Sequence, residues 1–162
     1  MTFLTCTRFN TDTLAQNERW RDKNKWVGCI YGTPKLMRES IPIGARVIVL
    51  EMHNDLNKLI GIGLIKNRLS FDKKYKIYDW GNYNRYTYKG CYRIDRADLS
   101  KKEEVLFYIL DALMFKGKTH LKRAQGITLM PDIFINNIHI DFINKLLKMF
   151  IRRYKGTSRI DG

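Results

Sequence analysis

Residues 45–51 read ARVIVLE and residues 59–66 read LIGIGLIK, with the polar turn His53-Asn54-Asp55 between them. Both runs are dense in β-branched and aliphatic residues and are bounded by turn formers, which predicts a pair of strands joined by a tight connection. Pro42 and Gly44 supply the turn that precedes the first of them. Gly61 and Gly63 interrupt the second, and glycine inside a strand marks a bulge or the close approach of another backbone.

Upstream, Phe3 to Thr7 read as a short strand, the polar segment Asn10 to Asn24 as carrying a helical turn, and Trp26 to Tyr31 as a second short strand. Thr33-Pro34 opens a predicted helix through Ser40, because proline fits a first helical turn. Downstream, Ser70 to Tyr83 read as a loop and Tyr86 to Asp95 as a strand. Ser100 and Glu103 form a capping box, and Leu106, Ile109, Leu110 and Leu113 mark one face of a helix that Gly117 ends. Gly126 to Met130 read as a short strand. Asn137 is placed to cap a last helix whose buried stripe is Ile143, Leu146, Leu147, Phe150 and Tyr154, with Gly156 beyond it. Lys145, Lys148 and Arg152 share its opposite face. The expectation is an α+β fold: a small curved β-sheet or barrel flanked by about three helices. No repeat or linker is visible, so residues 1–155 form one domain and residues 156–162 a frayed tail.

A chain of 162 residues that is 44% apolar can bury a core without disulfide or metal staples. Lys and Arg outnumber Asp and Glu by 30 to 16, a formal net charge of +14. Such a balance favours a polyanionic partner, nucleic acid ahead of an anionic membrane. Cations run along the whole chain, which argues for a basic folded face over a basic tail. No apolar run reaches the ~18 residues that suggest a bilayer span, and the N-terminus lacks a signal-peptide core. Cys6, Cys29 and Cys91 are odd in number and scattered, which fits a reducing intracellular compartment, cytoplasm, nucleus or virion. With His53, His120 and His139 they make no metal-binding spacing, so neither a metal nor a cofactor is expected. Richness in Ile, Asn and Lys matches AT-rich genomes, viral ones among them.

Between Lys73 and Arg93 the chain interleaves Tyr75, Tyr78, Trp80, Tyr83, Tyr86, Tyr88 and Tyr92 with Lys73, Lys74, Lys76, Arg85 and Lys89. Aromatic faces stack on unpaired bases, worth about 1–3 kcal/mol each, while Lys and Arg neutralise phosphates. The competing reading of the same segment is an amphipathic hairpin whose tyrosines cover a core.

The order of these elements resembles the PUA-like superfamily, and within it the YTH and EVE domains. Phe3-Leu-Thr-Cys-Thr7 resembles their opening strand. Trp26-Val-Gly28-Cys29 resembles the EVE W-x-G-V stretch, and Gly28 to Thr33 the YTH G-V-W-A-T stretch. The Ile43–Leu50 and Ile60–Gly63 hairpin is similar to the central one of both groups. Tyr88-Lys89-Gly90-Cys91-Tyr92 resembles the YTH W-K-G-R-F, and Lys122-Arg-Ala-Gln125-Gly126-Ile127 its R-D-x-Q-E-[VI]. The longer Leu121 to Pro131 stretch also resembles an EVE motif that precedes a terminal helix.

The resemblance implies a module that tips one nucleotide of single-stranded RNA or DNA into an aromatic pocket, N6-methyladenine for YTH domains and modified cytosines for EVE domains. It places Tyr31 and Tyr88 on two cage positions, with the remaining wall at Tyr83, or at Trp80 if the loop is shifted. Thr7 and Thr33 fall where the base edge is met, and Lys122 on the basic position. Where the family has Trp this chain has Tyr, a weaker wall for a methylated amine but a good stacking surface. Lys116, Lys118, Lys122 and Arg123 are expected to line the rim and hold phosphates, with Arg85 and Lys89 as second choices.

Two other classes compete. ASCH relatives of this superfamily cleave RNA, and Lys35, Lys66 and Tyr75 are candidates for such roles. Against this, the chain lacks the ASCH signature, a paired acidic motif and a Gly-rich phosphate loop. A basic structural or packaging protein of a viral or nucleoprotein assembly would need only charge, with no base preference.

Overall fold

The computed structural model describes residues 1–116, 121–136 and 139–154, and a five-stranded mixed sheet forms its centre. In chain order the elements are β1 (Thr2–Phe9), α1 (Thr11–Lys23), β2 (Cys29–Thr33), β3 (Arg46–His53), β4 (Lys58–Lys66) and β5 (Tyr86–Gly90). They continue with β6 (Tyr92–Asp95), α2 (Lys101–Phe115), β7 (Thr128–Leu129), the single-turn α3 (Asp132–Ile135) and α4 (Phe142–Arg153). The sheet order is β6-β4-β3-β1-β7. β1 runs parallel to β3 and every other neighbouring pair is antiparallel. A separate ribbon pairs β2 with β5. The fold is α+β, and among the described residues the strands do not close into a barrel.

The apolar run of β3 is explained by burial on both faces. Ile48, Leu50 and Met52 join Leu4, Cys6, Phe107, Leu110, Leu146 and Phe150 in one core, under α2 and α4. Val47 and Val49 alternate into a second core with Ile30, Tyr31, Tyr78 and Tyr88, under the β2–β5 ribbon and the loop before it. Glu51 carries the same alternation into that second core, where a bare carboxylate would be expensive. Arg93 meets it at 2.6 Å and the Tyr31 hydroxyl donates to it at 2.7 Å.

The hairpin glycines mark a bulge and a close approach, the latter made at Gly63 by side chains and not by another backbone. Register slips between Glu51 and Met52, leaving Ile60 as the extra residue of a bulge beside Gly61. At Gly63 a Cβ would stand 2.0 Å from the Tyr31 hydroxyl oxygen and 2.7 Å from Cys29 Sγ, so only glycine lets the ribbon lie this close to β4.

Several element boundaries differ from the sequence reading. The segment from Thr33 to Ser40 is not a helix. Thr33 closes β2 and its hydroxyl donates to the Lys35 carbonyl, while the Met37 N–H is taken by the Tyr88 hydroxyl at 3.1 Å. Conversely, Asn10 to Asn24 holds a full helix, started by a capping box between Asn10 and Thr13. The strand expected over Trp26 to Tyr31 lies at Cys29–Thr33, and the one over Gly126 to Met130 is only Thr128–Leu129. The strand over Tyr86 to Asp95 breaks at Cys91, where the chain leaves the ribbon for the sheet. In α2 the buried face is Glu103, Phe107, Leu110 and Met114, and Leu113 is exposed. The cap of α4 is Asp141, whose side chain accepts from the Asn144 N–H, not Asn137. Gly117, Asn137, Gly156 and the tail 156–162 lie outside the described residues.

Candidate nucleic-acid interface

Where β1 and β2 end side by side, their last residues and three loops enclose a concave site of about 160 Å³. Thr7, Arg8 and Phe9 come from β1, and Asn10 and Thr13 from the first turn of α1. Tyr31, Gly32 and Pro34 come from the end of β2. Asn54, Tyr78, Tyr83, Gln125 and Gly126 complete the wall from loops. The site is thus assembled from segments more than 100 residues apart.

Its aromatic side is a chain of edge-on rings. Tyr78 meets Tyr83 with centroids 6.0 Å apart, and Tyr83 meets Trp80 at 4.5 Å with planes at 87°. Gly32 gives the rings their room: a Cβ there would fall 2.5 Å from the Tyr83 carbonyl oxygen and 3.0 Å from the Tyr78 ring. The Tyr78 hydroxyl accepts from Asn17 Nδ2 at 3.0 Å, and burial pushes its pKa up to about 12. Burial likewise drives Tyr31 well above the ordinary phenol value, so both rings stay neutral at physiological pH.

The polar side is held by one carbonyl. Lys122 O accepts from Arg8 Nη1 at 3.0 Å and from Asn54 Nδ2 at 2.9 Å, which clips the 121–126 loop across the end of the sheet. Because the Asn54 amide nitrogen is committed to that carbonyl, its Oδ1 is fixed as the free end. That atom is covered from water and has no hydrogen-bond partner among the described residues. A buried acceptor left so costs about 1–3 kcal/mol. Arg8 keeps further N–H donors beyond the one it gives to Lys122, and no described carboxylate pairs with it.

Of the base-binding residues expected from the sequence, Thr7, Tyr31 and Tyr83 border this site. Tyr31 does so from a buried position, tied to Glu51. Thr33 is buried beneath it. Trp80 is 57% exposed and stands behind Tyr83, outside the wall. Tyr88 is a correction: it pairs with Tyr31 across the ribbon, is 1% exposed, and belongs to the second core. Its cross-strand neighbours and the Met37 N–H claim the ring and the hydroxyl that a base would need.

Among the expected phosphate ligands, Lys122 donates its ammonium to Asn57 Oδ1 at 2.6 Å and Arg123 is exposed on the same loop. Lys116 is exposed at the end of α2, away from the concave site, and Lys118 lies outside the described residues. Arg85 is exposed over the Tyr86 ring. Lys89 is a correction as a free cation. Its Nζ sits 4.5 Å from the Trp26 ring centroid and donates to the Tyr75 hydroxyl at 3.1 Å. Tyr75 itself is buried, with its hydroxyl donated to Asp72 at 2.6 Å.

Sequence reasoning did not single out Arg8, Asn10, Thr13, Asn54 and Gln125 as site residues. Asn10 and Thr13 carried a signal in their three-residue spacing after a strand, and Gln125 sat in a quoted motif. Arg8 and Asn54 carried none, since only the meeting of β1, the hairpin turn and the 121–126 loop makes them neighbours.

Among the described residues no cluster of His, Cys, Asp and Glu could hold a metal ion, and no helix is long and apolar enough to cross a membrane. No family model matches the chain, and no curated protein or solved structure matches it. What the geometry defines is an α+β fold with a concave, aromatic-walled site at the end of its sheet, bordered by Arg8, which no described carboxylate pairs.

Proposed function

We propose that this chain is a nucleic-acid-binding module of PUA-like, YTH/EVE-type architecture that holds single-stranded RNA or DNA and admits one base to the concave site. The observation that carries this reading is the coexistence, in one hollow, of the Tyr78–Tyr83 wall and the polar Asn54 and Gln125 residues. A base offers the two complementary features, a flat π face and an exocyclic N–H. Arg8 stands at the same hollow to meet a phosphate or a base edge, and a net charge of +14 favours the polyanion. Extraction of a base costs little when the strand is already single.

The test is a titration of short single-stranded RNA and DNA, with and without N6-methyladenine or 5-methylcytosine, at two salt concentrations. Wild type is compared with Tyr83→Ala, which removes an aromatic wall of the site; because the ring also packs on the second core, the variant's Tm is measured alongside. Affinity is expected to fall about tenfold, the lower part of the range for one stacked base. A preference for one methylated strand that vanishes in the variant assigns the methyl group to this wall. Equal, salt-steep binding of every strand, untouched by the substitution, replaces the reading with a charge-driven packaging protein.

A further inference from the structure

Behind the Tyr78–Tyr83 wall the loop continues into a second surface that the base site does not use. Along residues 73–78, Lys73, Lys74 and Lys76 are exposed while Tyr75, Ile77 and Tyr78 are buried. The segment has no regular secondary structure, yet it is pinned. Asn84 Oδ1 accepts from the Ile77 and Tyr78 N–H groups, both at 2.9 Å, and Gln16 Oε1 accepts from the Asp79 N–H at 2.8 Å. Lys73 also sits over the rings of Trp20 and Tyr75. The lysines therefore stand as a fixed ridge, with a hollow on either side.

One hollow, about 390 Å³, lies between the ridge and α1, with Arg19, Trp20 and Lys23 on its far bank. The other, about 1010 Å³, is bordered by Phe71, Arg85 and Tyr86. Phe71 is 81% exposed and offers an open ring face at the border of this hollow. Asp79 is the only acidic residue bordering both hollows, and none of the six cations named here makes an ion pair among the described residues. Tyr78 borders both the base site and the α1-side hollow, so the two surfaces share a wall.

We propose that this ridge and its banks are a phosphodiester track for single-stranded nucleic acid: Arg19, Lys23, Lys73, Lys74, Lys76 and Arg85 take successive phosphates and Phe71 stacks a flanking base. This rests on the reading of the concave site as a base site and extends it to the neighbouring nucleotides. A concave surface that interleaves rings and cations suits a strand, whereas a membrane surface is met best by a convex apolar face.

The experiment uses labelled oligouridylates of about 3, 6 and 9 nucleotides over a salt series. It compares wild type, the triple variant Arg19→Gln/Lys74→Gln/Lys76→Gln, and Tyr83→Ala. Each phosphate contact on a single strand contributes a slope of about −0.7 in log K against log salt, so the triple variant should flatten the slope by about 2. It should also shrink the gain in affinity from 3 to 9 nucleotides, while Tyr83→Ala weakens every length alike and keeps the wild-type slope. An unchanged slope in the triple variant overturns the track, and a loss in Tyr83→Ala alone then leaves the base site standing. If neither variant changes binding, both readings fall. The same proteins are tested on phosphatidylserine–phosphatidylcholine vesicles. Vesicle binding lost in the triple variant, with oligonucleotide binding intact, gives the ridge to a membrane and overturns the proposal.

Discussion

Removing the Tyr88 side chain empties a sealed position of the second core and strands the Met37 N–H that its hydroxyl accepts. Truncation of a buried aromatic costs about 3–5 kcal/mol. Tyr88→Ala should therefore lower Tm by roughly 10 °C in a calorimetric scan. Tyr88→Phe, which keeps the ring, should cost about 1 kcal/mol. A Tyr88→Ala protein with wild-type Tm would show that the ring is not packed as described. Tyr83 and Tyr88 are five residues apart and carry the same side chain, yet one lines a hollow and the other fills a core. Nothing in their local sequence separates them. What separates them is the pairing of β5 with β2, which turns Tyr88 inward opposite Tyr31 while Tyr83 stays in the turn before the strand. Thr7 and Tyr83 were named through the family resemblance, and both border the hollow, Thr7 from a buried position and Tyr83 from a half-buried one. Arg8 and Asn54 were not legible, because their meeting depends on contacts across more than 40 residues.

At the scale of elements, Glu103 is the joint between α2 and α4. Its carboxylate caps the Ser100 N–H at 2.9 Å and receives Arg153 at 2.6 Å and Arg152 at 3.2 Å. Arg153 holds its pKa down to about 2, from an ordinary 4.5. A folded-state value below the unfolded one means the stabilisation is fully present above about pH 4.5 and lost as pH falls toward 2. Wild type should lose stability steeply across that window in a urea titration, and Glu103→Gln should lose less. Discounted for solvent screening, the difference is on the order of 1 kcal/mol at neutral pH. Parallel pH profiles for the two proteins would refute the joint. The capping box that places Glu103 was plain in the sequence, as was the central hairpin, because both are local patterns. Of the face expected for α2, Leu110 is fully buried, Leu106 and Ile109 pack partly against the core, and Leu113 is exposed. Apolar residues wrap most of the helix, so periodicity alone could not add Phe107 and Met114 to Leu110 or remove Leu113. The helix expected after Pro34 failed for a different reason. Its Met37 N–H is spent on a side chain 51 residues away, a bond that no propensity anticipates.

For the whole molecule, three thiols divide the structure into inside and outside. Cys91 is exposed at the break between β5 and β6, while Cys6 and Cys29 lie one in each core. Burial pushes both buried thiols up to about 12. A thiol reagent at pH 8 should consume one equivalent quickly, and the other two only at the rate of global unfolding, with all three reacting at once in urea. Two fast thiols in buffer would mean that one core opens on its own. The composition made the basic character of the molecule plain, but its distribution followed from the fold: the packing of the 73–78 segment decides which cations face out together. A last consequence concerns the order of synthesis. β1 is flanked in the finished sheet by β3 and by β7, so Thr5 waits for Leu129. At the usual 5–20 residues per second the ribosome takes roughly 6–25 s to cover that distance. Throughout that interval the nascent chain carries an unpaired strand edge, and a chaperone that shields extended backbone would find its client there.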